Sequence, residues 1–485
     1  MNKIEFGLVR HNPDVLNCIS HLSNDEIFTP PKLVAEILND LENAWSEVNN
    51  GENIWSNKAT TFIDPFTKSG VFLREITKRL IEGLAREIPD LDNRVNHILT
   101  NQIYGIGITE ITSLLARRTT YCSKFANGEH SVARSFETSE GNIRFERIEH
   151  TWSGGKVKFE IHPTSGKEIE VITGQRCVFC GANKDLHNRG EGVETHAYDF
   201  IHTENINQRI QEIFGAKMKF DVIIGNPPYQ LNDGGASNSA IPIYHKFVAA
   251  AKKLKPRFIS MIIPSRWFAG GKGLNDFRDE MLSDTRVKYL NDFINAKECF
   301  PGVSLGGGVN YFLWERDYDG PCEVINTKDG KQTSRIRRLN EFPIFIRNNI
   351  GIDIVNKVTA NDFESVEEFI KPRNVFGYAT KDRGSEDKIN KSVQLHHSQG
   401  IGYVNQLDIP RGKDFVDMHK IMISARTSEH AGEPDKSGQY RVLSTSMMLP
   451  PKQICTDSYL MVGPFKNEKI TKNFLNYMRT KFFRY

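Results

Sequence analysis

The segment from residue 220 to residue 229 constrains the fold of this chain more than any other. Residues 220–225 (Phe-Asp-Val-Ile-Ile-Gly) have the pattern of a buried strand, and the tetrapeptide Asn-Pro-Pro-Tyr at 226–229 follows directly. The two prolines fix φ and lack an N–H, so the strand must end there. Because open α/β sheets bind ligands beyond the carboxyl ends of their strands, the tetrapeptide is predicted to be a functional loop. A simple turn is the alternative, since all four residue types are common in turns.

Strand patterns and helix patterns alternate along two parts of the chain. Residues 61–64, 102–108, 220–225 and 258–263 each predict a strand, and the first three are followed by apolar residues at helical spacing. A further helix is predicted with Thr29 as its N-cap and Pro30 in its first turn, and its apolar residues follow one-face spacing from Leu33 onward. Repeated strand and helix units predict a parallel sheet covered by helices, which is the α/β class.

The alternation is interrupted twice, and the interruptions predict the domain organisation. At 485 residues the chain is long enough to bury more than one core. Residues 1–124 and 195–326 are predicted to form one α/β domain, and residues 125–194, which contain glycine pairs and scattered charges, an inserted subdomain. From residue 327 the alternation is lost again, so 327–485 is predicted to be a separate carboxy-terminal domain.

Composition adds little about ligands. The chain has 63 Lys and Arg against 60 Asp and Glu, a net charge of +3, which is too balanced to indicate nucleic-acid binding by itself. Basic and aromatic residues interleave between Arg411 and Tyr485, which fits either phosphate contacts or a solvated helix face. No run approaches the ~20 apolar residues of a membrane span, and no secretory signal is evident. We therefore expect a cytoplasmic protein without membrane association.

The order of three motifs resembles that of a known enzyme family. Phe-Thr-Pro-Pro at 28–31 comes first, Asp-Pro-Phe-Thr-Lys-Ser-Gly at 64–70 follows, and the tetrapeptide comes last. This order is similar to that of the gamma-class N6-adenine DNA methyltransferases of restriction-modification systems, over roughly residues 20–320. The resemblance implies a Rossmann-like class I methyltransferase sheet, S-adenosylmethionine as methyl donor and a carboxy-terminal domain that recognises double-stranded DNA. A cognate restriction endonuclease is a candidate partner.

The tetrapeptide suits the chemistry that this resemblance implies. The lone pair of an adenine amino group is delocalised into the ring, so the group must be drawn towards tetrahedral geometry before it can accept a methyl group. The side-chain oxygen of Asn226 and the backbone carbonyl of Pro227 would accept hydrogen bonds from the amino hydrogens. Pro228 restricts Pro227 to an extended conformation that leaves this carbonyl available. Tyr229 would stack on the flipped-out base, with stacking worth ~1–3 kcal/mol per base.

The resemblance also implies a cofactor site at the first two motifs. The residues expected to line it are Phe28, Thr29, Pro30, Asp64, Pro65, Ser69 and Gly70. Asp64 would accept from the methionine ammonium group of the cofactor, and Gly70 would allow close backbone approach. Helix capping is the alternative role for Asp64.

Four further residues affect the prediction of cofactor binding. The family usually has a glycine where this chain has Lys68, and an acid that grips the ribose hydroxyls where it has Gly107. Glu110 is the candidate substitute for that acid, although a glutamate also suits a first helical turn. Asp199 resembles the acid that binds the adenine of the cofactor, and a surface aspartate is the alternative.

A second aromatic residue is expected to face the target base. The segment 309–314 (Val-Asn-Tyr-Phe-Leu-Trp) resembles the one that presents this ring in the family. We predict Phe312, with Tyr311 as second choice. Because side chains alternate along a strand, only one of the two faces the pocket and the other belongs to the core.

The inserted segment contains a candidate metal site. The chain has seven cysteines, and Cys177 and Cys180 have the spacing of a zinc knuckle. Cys122, His150, His187, His196 and His202 are candidates for the remaining ligands, and the sequence does not choose among them. A structural zinc ion and reduced thiols without a metal both fit. Similar cysteine pairs occur in HNH nucleases, although the rest of that signature is not evident.

The sequence thus predicts a site-specific DNA-methyltransferase (adenine-specific) that methylates N6 of a flipped-out adenine, within a restriction-modification or phage-defence system. Four other functions stay open: an RNA adenine methyltransferase, a protein glutamine methyltransferase, a bifunctional restriction-modification protein and a catalytically degenerate DNA-binding subunit. Protein methylation stays open because the lone pair of a glutamine amide nitrogen is delocalised in the same way as that of the adenine amino group. Lys68 and Gly107 suggest the degenerate subunit, because both depart from the cofactor motifs.

Overall fold

The architecture was obtained as a computed structural model. The structure describes residues 27–161, 164, 167–187, 197–216, 218–231, 241–301, 303, 305–360, 365–388, 392–427 and 441–484. The chain divides into two compact units, the first ending at Arg347 and the second beginning at Asn348, with Leu305–Gly307 grouped with the second.

The first unit combines strands and helices in alternation. Its strands are, in chain order, β1 (Phe62–Thr67), β2 (Ile103–Gly107), β3 (Ile143–Arg144), β4 (Trp152–Ser153), β5 (Lys156–Ile161), β6 (Glu168–Thr173), β7 (Arg176–Cys177), β8 (Val222–Gly225), β9 (Phe258–Pro264), β10 (Val287–Phe293), β11 (Val309–Glu315), β12 (Cys322–Lys328) and β13 (Lys331–Arg337). Its helices are α1 (Pro31–Val48), α2 (Val71–Gly83), α3 (Leu91–Asn101), α4 (Glu110–Tyr121), α5 (Lys184–His187), α6 (Ile206–Phe214), α7 (Tyr244–Lys253) and α8 (Asn275–Ser283).

Nine of these strands form one mixed sheet. Their order is β13-β12-β10-β11-β9-β8-β1-β2-β3. β1 pairs in parallel with β2 and β8, and β8 pairs in parallel with β9. Beyond β9, strand β11 is antiparallel to both of its neighbours. The predicted α/β class is confirmed, but the sheet is mixed, and the parallel arrangement holds only for β3, β2, β1, β8 and β9 and for β10 with β12.

Helices cover both faces of this sheet. On one face, Phe247 of α7 belongs to the same buried cluster as Ile223 and Ile259. On the other face, the Trp45 ring of α1 lies 6.1 Å from the ring of Phe258. Because neighbouring residues of a strand point to opposite faces, Phe258 and Ile259 pack against different helix layers.

The first helix begins later than predicted. α1 starts at Pro31 and its N-cap is Pro30, which has no side chain that could accept a hydrogen bond. Thr29 is therefore not the N-cap, and its hydroxyl accepts from the side chain of Asn226 instead. The rest of the prediction agrees with the structure, because the helix buries the apolar residues at one-face spacing. The polar residue before the helix thus belongs to the site rather than to the helix end.

The inserted segment is joined to the main sheet. β3 lies within residues 125–194 and pairs in parallel with β2 at the sheet edge. The remaining strands of the segment form two small antiparallel pairs, β4 with β7 and β5 with β6. The segment therefore begins as an edge strand and continues as a hairpin region outside the main sheet.

The second unit has its own core, and its described residues show no alternation of strands and helices. Its elements are β14 (Ser392–His397), β15 (Gly400–Asn405), β16 (His419–Ser424), β17 (Ser446–Leu449), β18 (Gln453–Cys455), β19 (Tyr459–Phe465), α9 (Asn349–Thr359), α10 (Glu468–Met478) and α11 (Lys481–Arg484). The strands form two three-stranded sheets, β15-β14-β18 and β17-β16-β19. Phe376, Leu395 and Met461 belong to its largest buried cluster.

The predicted domain boundary at residue 327 lies inside a strand. β12 runs to Lys328 and β13 extends the main sheet to Arg337, so the first unit continues to Arg347. In the described parts of both units, no helix is long and apolar enough to cross a membrane.

Candidate active site

Two predicted motifs meet at the carboxyl ends of adjacent strands. Parallel pairing aligns Ile63 of β1 with Ile223 of β8, so the residues that follow them emerge side by side. A Cβ added at Gly225 would lie 2.5 Å from Asp64 Oδ1 and 2.5 Å from Phe66 Cε2. Only glycine permits this close approach, and it places the residue before Asn226 against Asp64 and Phe66 of β1.

The side chain of Asn226 is held in one orientation. Its Nδ2 donates to the Ile27 carbonyl at 3.1 Å and to Thr29 Oγ1 at 3.2 Å. Its Oδ1 is buried and has no hydrogen-bond partner among the described residues. Because a buried acceptor without a partner is costly, its persistence at a strand end indicates a site for a donor ligand.

Tyr229 is buried, whereas a ring that stacks on a base needs an accessible face. Pro227 and Pro228 are buried, and Tyr229 is 6% exposed. Burial raises the pKa of the Tyr229 hydroxyl well above its ordinary value, and a longer polar contact with Asn226 offsets part of the shift. The hydroxyl makes no hydrogen bond of ordinary length within the described part of the chain. In this structure the ring is therefore covered, and stacking on a base requires the loop to open.

Asp64 is a buried carboxyl group within β1, which continues to Thr67 instead of ending at residue 64 as predicted. It accepts from the backbone N–H of Phe66 at 3.3 Å and is 3% exposed. Burial raises its pKa to about 7, although the hydrogen bonds of Phe66 and Thr67 and the charge of Lys68 oppose the shift. A carboxyl group with this pKa changes charge easily when a cation approaches.

Lys68 is also buried and points towards the same place. Its Nζ donates to the Ile27 carbonyl at 3.2 Å, the oxygen that also accepts from Asn226. The lysine at the position where the family usually has a glycine therefore binds the same carbonyl as Asn226, and its charge acts on Asp64.

Two recesses beside β1 gather most of the predicted cofactor residues. The first recess is lined by Thr29, Asp64, Phe66, Lys68, Ser69, Gly70, Val71, Phe72 and Asn226. The second recess is lined by Pro65, Ile106, Gly107, Ile108, Phe145, Glu146, Ala197, Tyr198, Asp199, Phe200 and Phe247. Phe28 and Pro30 are half-buried and line neither recess, and Glu110 is exposed.

Close packing shapes the turn that bounds the first recess. Gly70 has φ +73°, and an added Cβ would lie 2.9 Å from Ala116 Cα of α4. Both the left-handed backbone and the contact require glycine, so the loop after β1 enters α2 directly against α4.

Comparison with known proteins identifies the family. The chain is 36% identical over 364 residues to a Mycoplasma pneumoniae protein described as an uncharacterized adenine-specific methylase, covering 71% of this chain and 82% of that protein. The chain belongs to the adenine-specific methylases. Residues 101–300 also match the family of the Eco57I restriction-modification methylase. The sequence resemblance to restriction-modification adenine methyltransferases is thereby confirmed.

Solved structures of restriction-modification enzymes are similar at low identity. A putative type I modification subunit from Vibrio vulnificus YJ016 has 11% identity and a TM-score of 0.35, covering 74% of this methylase and 60% of that chain. The type ISP enzyme LlaBIII, solved bound to DNA, has 11% identity and a TM-score of 0.45, covering 94% and 36%. The methylase thus spans less than two thirds of either chain.

Asp199 of the methylase is engaged by an arginine. Arg209 Nε and Nη2 lie 2.6 and 2.9 Å from its two carboxylate oxygens, and Arg209 also pairs with Glu146. Burial raises the pKa of Asp199, and Arg209 opposes this shift. Asp199 is therefore a buried residue of the second recess rather than a surface aspartate. Glu146 and Arg209 were missed because neither belongs to a sequence motif.

The ribose-binding acid of the family has no room at Gly107. A Cβ at this position would lie 2.6 Å from Ser113 Cβ of α4. Glu110, the predicted substitute, is the first residue of α4 and points to solvent, where it suits the helix N-terminus. Glu146 and Asp199 are the acids that line the second recess with Gly107.

The contact at Gly107 leads to a testable expectation. Gly107→Ala should lower the free energy of unfolding by about 1–3 kcal/mol, because the added methyl group overlaps Ser113. Combining it with Ser113→Gly should restore part of the loss, since the second change removes the overlapping Cβ. Urea unfolding of the single and double variants measures both effects. Additive losses in the double variant would contradict this explanation.

The second aromatic residue was predicted wrongly. Phe312 is fully buried in the main core of the methylase, paired with Met261 and Leu290 of the neighbouring strands. Tyr311 is 4% exposed, and its hydroxyl donates to Asp40 at 2.9 Å. Neither ring is available for stacking, because β11 is an interior strand that is covered on both faces.

The predicted cysteine pair lies in a cluster away from the tetrapeptide. His150, Cys177, Cys180 and His202 have ligand atoms that all lie within 4.8 Å of one another. Cys122 is exposed at the end of α4 and lies outside this cluster. His187 is the last residue of α5. His196 lies outside the described residues.

Proposed function

We propose that this methylase transfers a methyl group from S-adenosylmethionine to N6 of an adenine flipped out of double-stranded DNA, as a site-specific DNA-methyltransferase. One observation supports this most strongly. The Asn226 amide is fixed through Nδ2 while Oδ1, a buried acceptor, has no partner among the described residues. A planar amino group is the donor that such an acceptor suits.

The target half of the site works by orientation and electrostatics. Asn226 Oδ1 and the Pro227 carbonyl accept from the two amino hydrogens and draw the nitrogen lone pair out of conjugation. Both oxygens also stabilise the positive charge that develops on nitrogen during in-line displacement. The fixed Nδ2 contacts keep Oδ1 in place, so little reorganisation is required in the transition state.

The cofactor half of the site is proposed to occupy the two recesses. S-adenosylmethionine supplies an electrophilic methyl group on sulfonium. Asp64 accepts from the methionine ammonium group, and Gly70 lets the backbone come close to the ligand. In the second recess, Asp199 and Glu146 accept from the adenosine, with Arg209 orienting both carboxylates.

The effect of Lys68 on cofactor binding distinguishes an active enzyme from a degenerate subunit. The positive charge of its ammonium group lowers the pKa of Asp64, the carboxyl group to which the cofactor ammonium would also bind. An active site requires Lys68 to keep its contact with the Ile27 carbonyl and leave Asp64 to the ligand. Calorimetric titration with S-adenosylmethionine distinguishes the two, because a degenerate subunit binds DNA without the cofactor.

The second unit is proposed to recognise the DNA sequence. It has a core of its own and lacks the strand and helix alternation of the catalytic unit. A cognate restriction endonuclease is the proposed partner, and the cytoplasm the proposed location.

The function is tested by expression in a host that lacks DNA methylation. Sequencing with modified-base detection is expected to show N6-methyladenine at one sequence motif, and none with an Asn226→Ala variant. Unmodified DNA together with measurable cofactor binding would overturn the DNA proposal and favour RNA or protein methylation. Unmodified DNA without cofactor binding would favour the degenerate subunit.

A further inference from the structure

Four side chains of types that bind metals lie close together, three from the inserted segment and His202 from the chain that follows it. His150 precedes β4, Cys177 and Cys180 lie at and after β7, and His202 follows the Tyr198-Asp199 segment. Their ligand atoms lie within 4.8 Å of one another, and Cys180 Sγ is 3.4 Å from His150 Nδ1. Tetrahedral zinc bonds of ~2.0–2.3 Å place ligand atoms roughly 3.3–3.8 Å apart, which is the separation of Cys180 Sγ from His150 Nδ1.

The backbone around the cysteines has the form of a zinc knuckle. Gly181 N donates to the Cys177 carbonyl at 2.9 Å, and Cys177 N donates to the Ala182 carbonyl at 2.9 Å. Gly181 has φ +83°, which turns the chain back on itself after Cys180. This turn directs both sulfur atoms towards one point.

We propose that His150, Cys177, Cys180 and His202 bind one structural zinc ion. Two thiolates neutralise the divalent charge, and two neutral imidazoles complete a closed tetrahedral set without a position for substrate. Sulfur and imidazole ligands select zinc over magnesium or calcium, which prefer oxygen ligands. The sequence leaves the histidine ligands open, and His150 and His202 are assigned because their ring nitrogens lie within 4.8 Å of the cysteine sulfur atoms.

The surroundings of His202 support its role as a ligand. Its Nδ1 lies 2.7 Å from the Tyr198 carbonyl oxygen, so a proton on Nδ1 is donated to that carbonyl. Metal-bound histidines commonly make such a second contact, which fixes the ring and leaves the other nitrogen for the metal. Nε2 is therefore the assigned ligand atom of His202.

The hairpin between the ligands explains why a metal is needed. β5 and β6 separate His150 from the cysteines, and Phe159 and Ile161 of β5 are 66% and 74% exposed. A hairpin with so little buried surface has little hydrophobic stabilisation of its own. The zinc ion fastens the base of this hairpin to the segment that leads into α6, and its binding energy becomes folding energy.

Metal analysis of the full chain tests the assignment. Purified protein is expected to contain about one zinc ion per chain, and Cys177→Ser and His202→Ala to retain less than about a tenth of it. Cys122→Ser is the matched control for the cysteine variant, because the exposed Cys122 lies outside the cluster, and it should keep the metal. Zinc absent from the unmodified chain, or retained in both cluster variants, would overturn the proposal.

A second measurement covers variants that fail to fold. The unmodified chain, freed of metal under reducing conditions and titrated with Co²⁺, is expected to show one equivalent of tetrahedral absorption with thiolate charge transfer. Absence of these bands, or a disulfide between Cys177 and Cys180 in freshly purified protein, would refute the zinc site. Neither result depends on methyl transfer, so failure here leaves the proposed function untouched.

The zinc ion has an expected effect on the cofactor recess, and this expectation rests on the proposed function. His202 lies three positions after Asp199, which lines the second recess. Removing zinc is expected to lower the melting temperature and weaken S-adenosylmethionine binding several-fold. If zinc-free protein binds the cofactor as tightly as zinc-bound protein, the effect of zinc on the cofactor recess is refuted, while the zinc site itself is not.

Discussion

Asn226→Ala is expected to lower methyl transfer to DNA by about 10²–10³-fold or more while cofactor binding changes little. The variant removes the buried Oδ1 acceptor from the target half of the site and leaves the carboxyl group of Asp64 in place. Transfer of a tritiated methyl group measures the first effect, and calorimetric titration measures the second.

Asn207→Ala is the matched control for this loss. Asn207 is exposed on α6, and its Nδ2 makes a 3.5 Å contact with the Lys253 carbonyl, so its removal should leave transfer unchanged. An active Asn226→Ala enzyme would refute the proposed mechanism. Thr29→Val refines the test, because it removes one of the two acceptors that hold Nδ2 and should lower kcat more than it raises KM.

Asp64→Asn is expected to weaken S-adenosylmethionine binding by about 10–100-fold, since a hydrogen bond between charged partners contributes roughly 1.5–3 kcal/mol. The same change should make the ligand-free protein more stable at pH 8. Asn has nearly the shape of Asp and avoids the cost of a buried charge, which is the main cause of the raised pKa of Asp64. Calorimetry measures the affinity, and urea unfolding measures the stability.

The pH dependence of this stability effect has a definite sign. The pKa of Asp64 is raised from 3.8 in the unfolded chain to about 7 in the folded one, so the folded state binds the proton more tightly. The contribution of Asp64 to stability is fully present below pH 3.8 and is lost as the pH rises to about 7. The advantage of Asp64→Asn should therefore grow between pH 5 and pH 8, towards about 4 kcal/mol. An equal advantage at both pH values would count against a buried, ligand-free carboxyl group.

The strand ends of the catalytic site could be predicted because their causes are local. Asp64 lies within β1 and Asn226 directly follows β8, and parallel pairing of the two strands brings these residues together. Asp199 was predicted from its resemblance to a family motif, and it lies in the second recess. The partners Glu146 and Arg209 could not be predicted, because an ion-pair cluster between distant segments leaves no periodic pattern.

The error at Phe312 has a physical cause. Alternation identifies the face of a strand only when one face is polar, and all seven residues of β11 are buried. The boundary at residue 327 was misplaced for a related reason, because β12 and β13 extend the sheet as an antiparallel pair without an intervening helix. The zinc ligands stayed ambiguous in the sequence, since His150 and His202 reach the cysteines only through the tertiary fold.

The shared carbonyl of Ile27 joins the two halves of the site. It accepts from Asn226 of the target loop and from Lys68 of the cofactor loop. A ligand that shifts Lys68 therefore changes how firmly Asn226 is held. Because thermodynamic linkage is reciprocal, the methyl donor and the target base should alter each other's affinity by the same factor. Cooperative binding of two substrates would then originate at a single backbone oxygen.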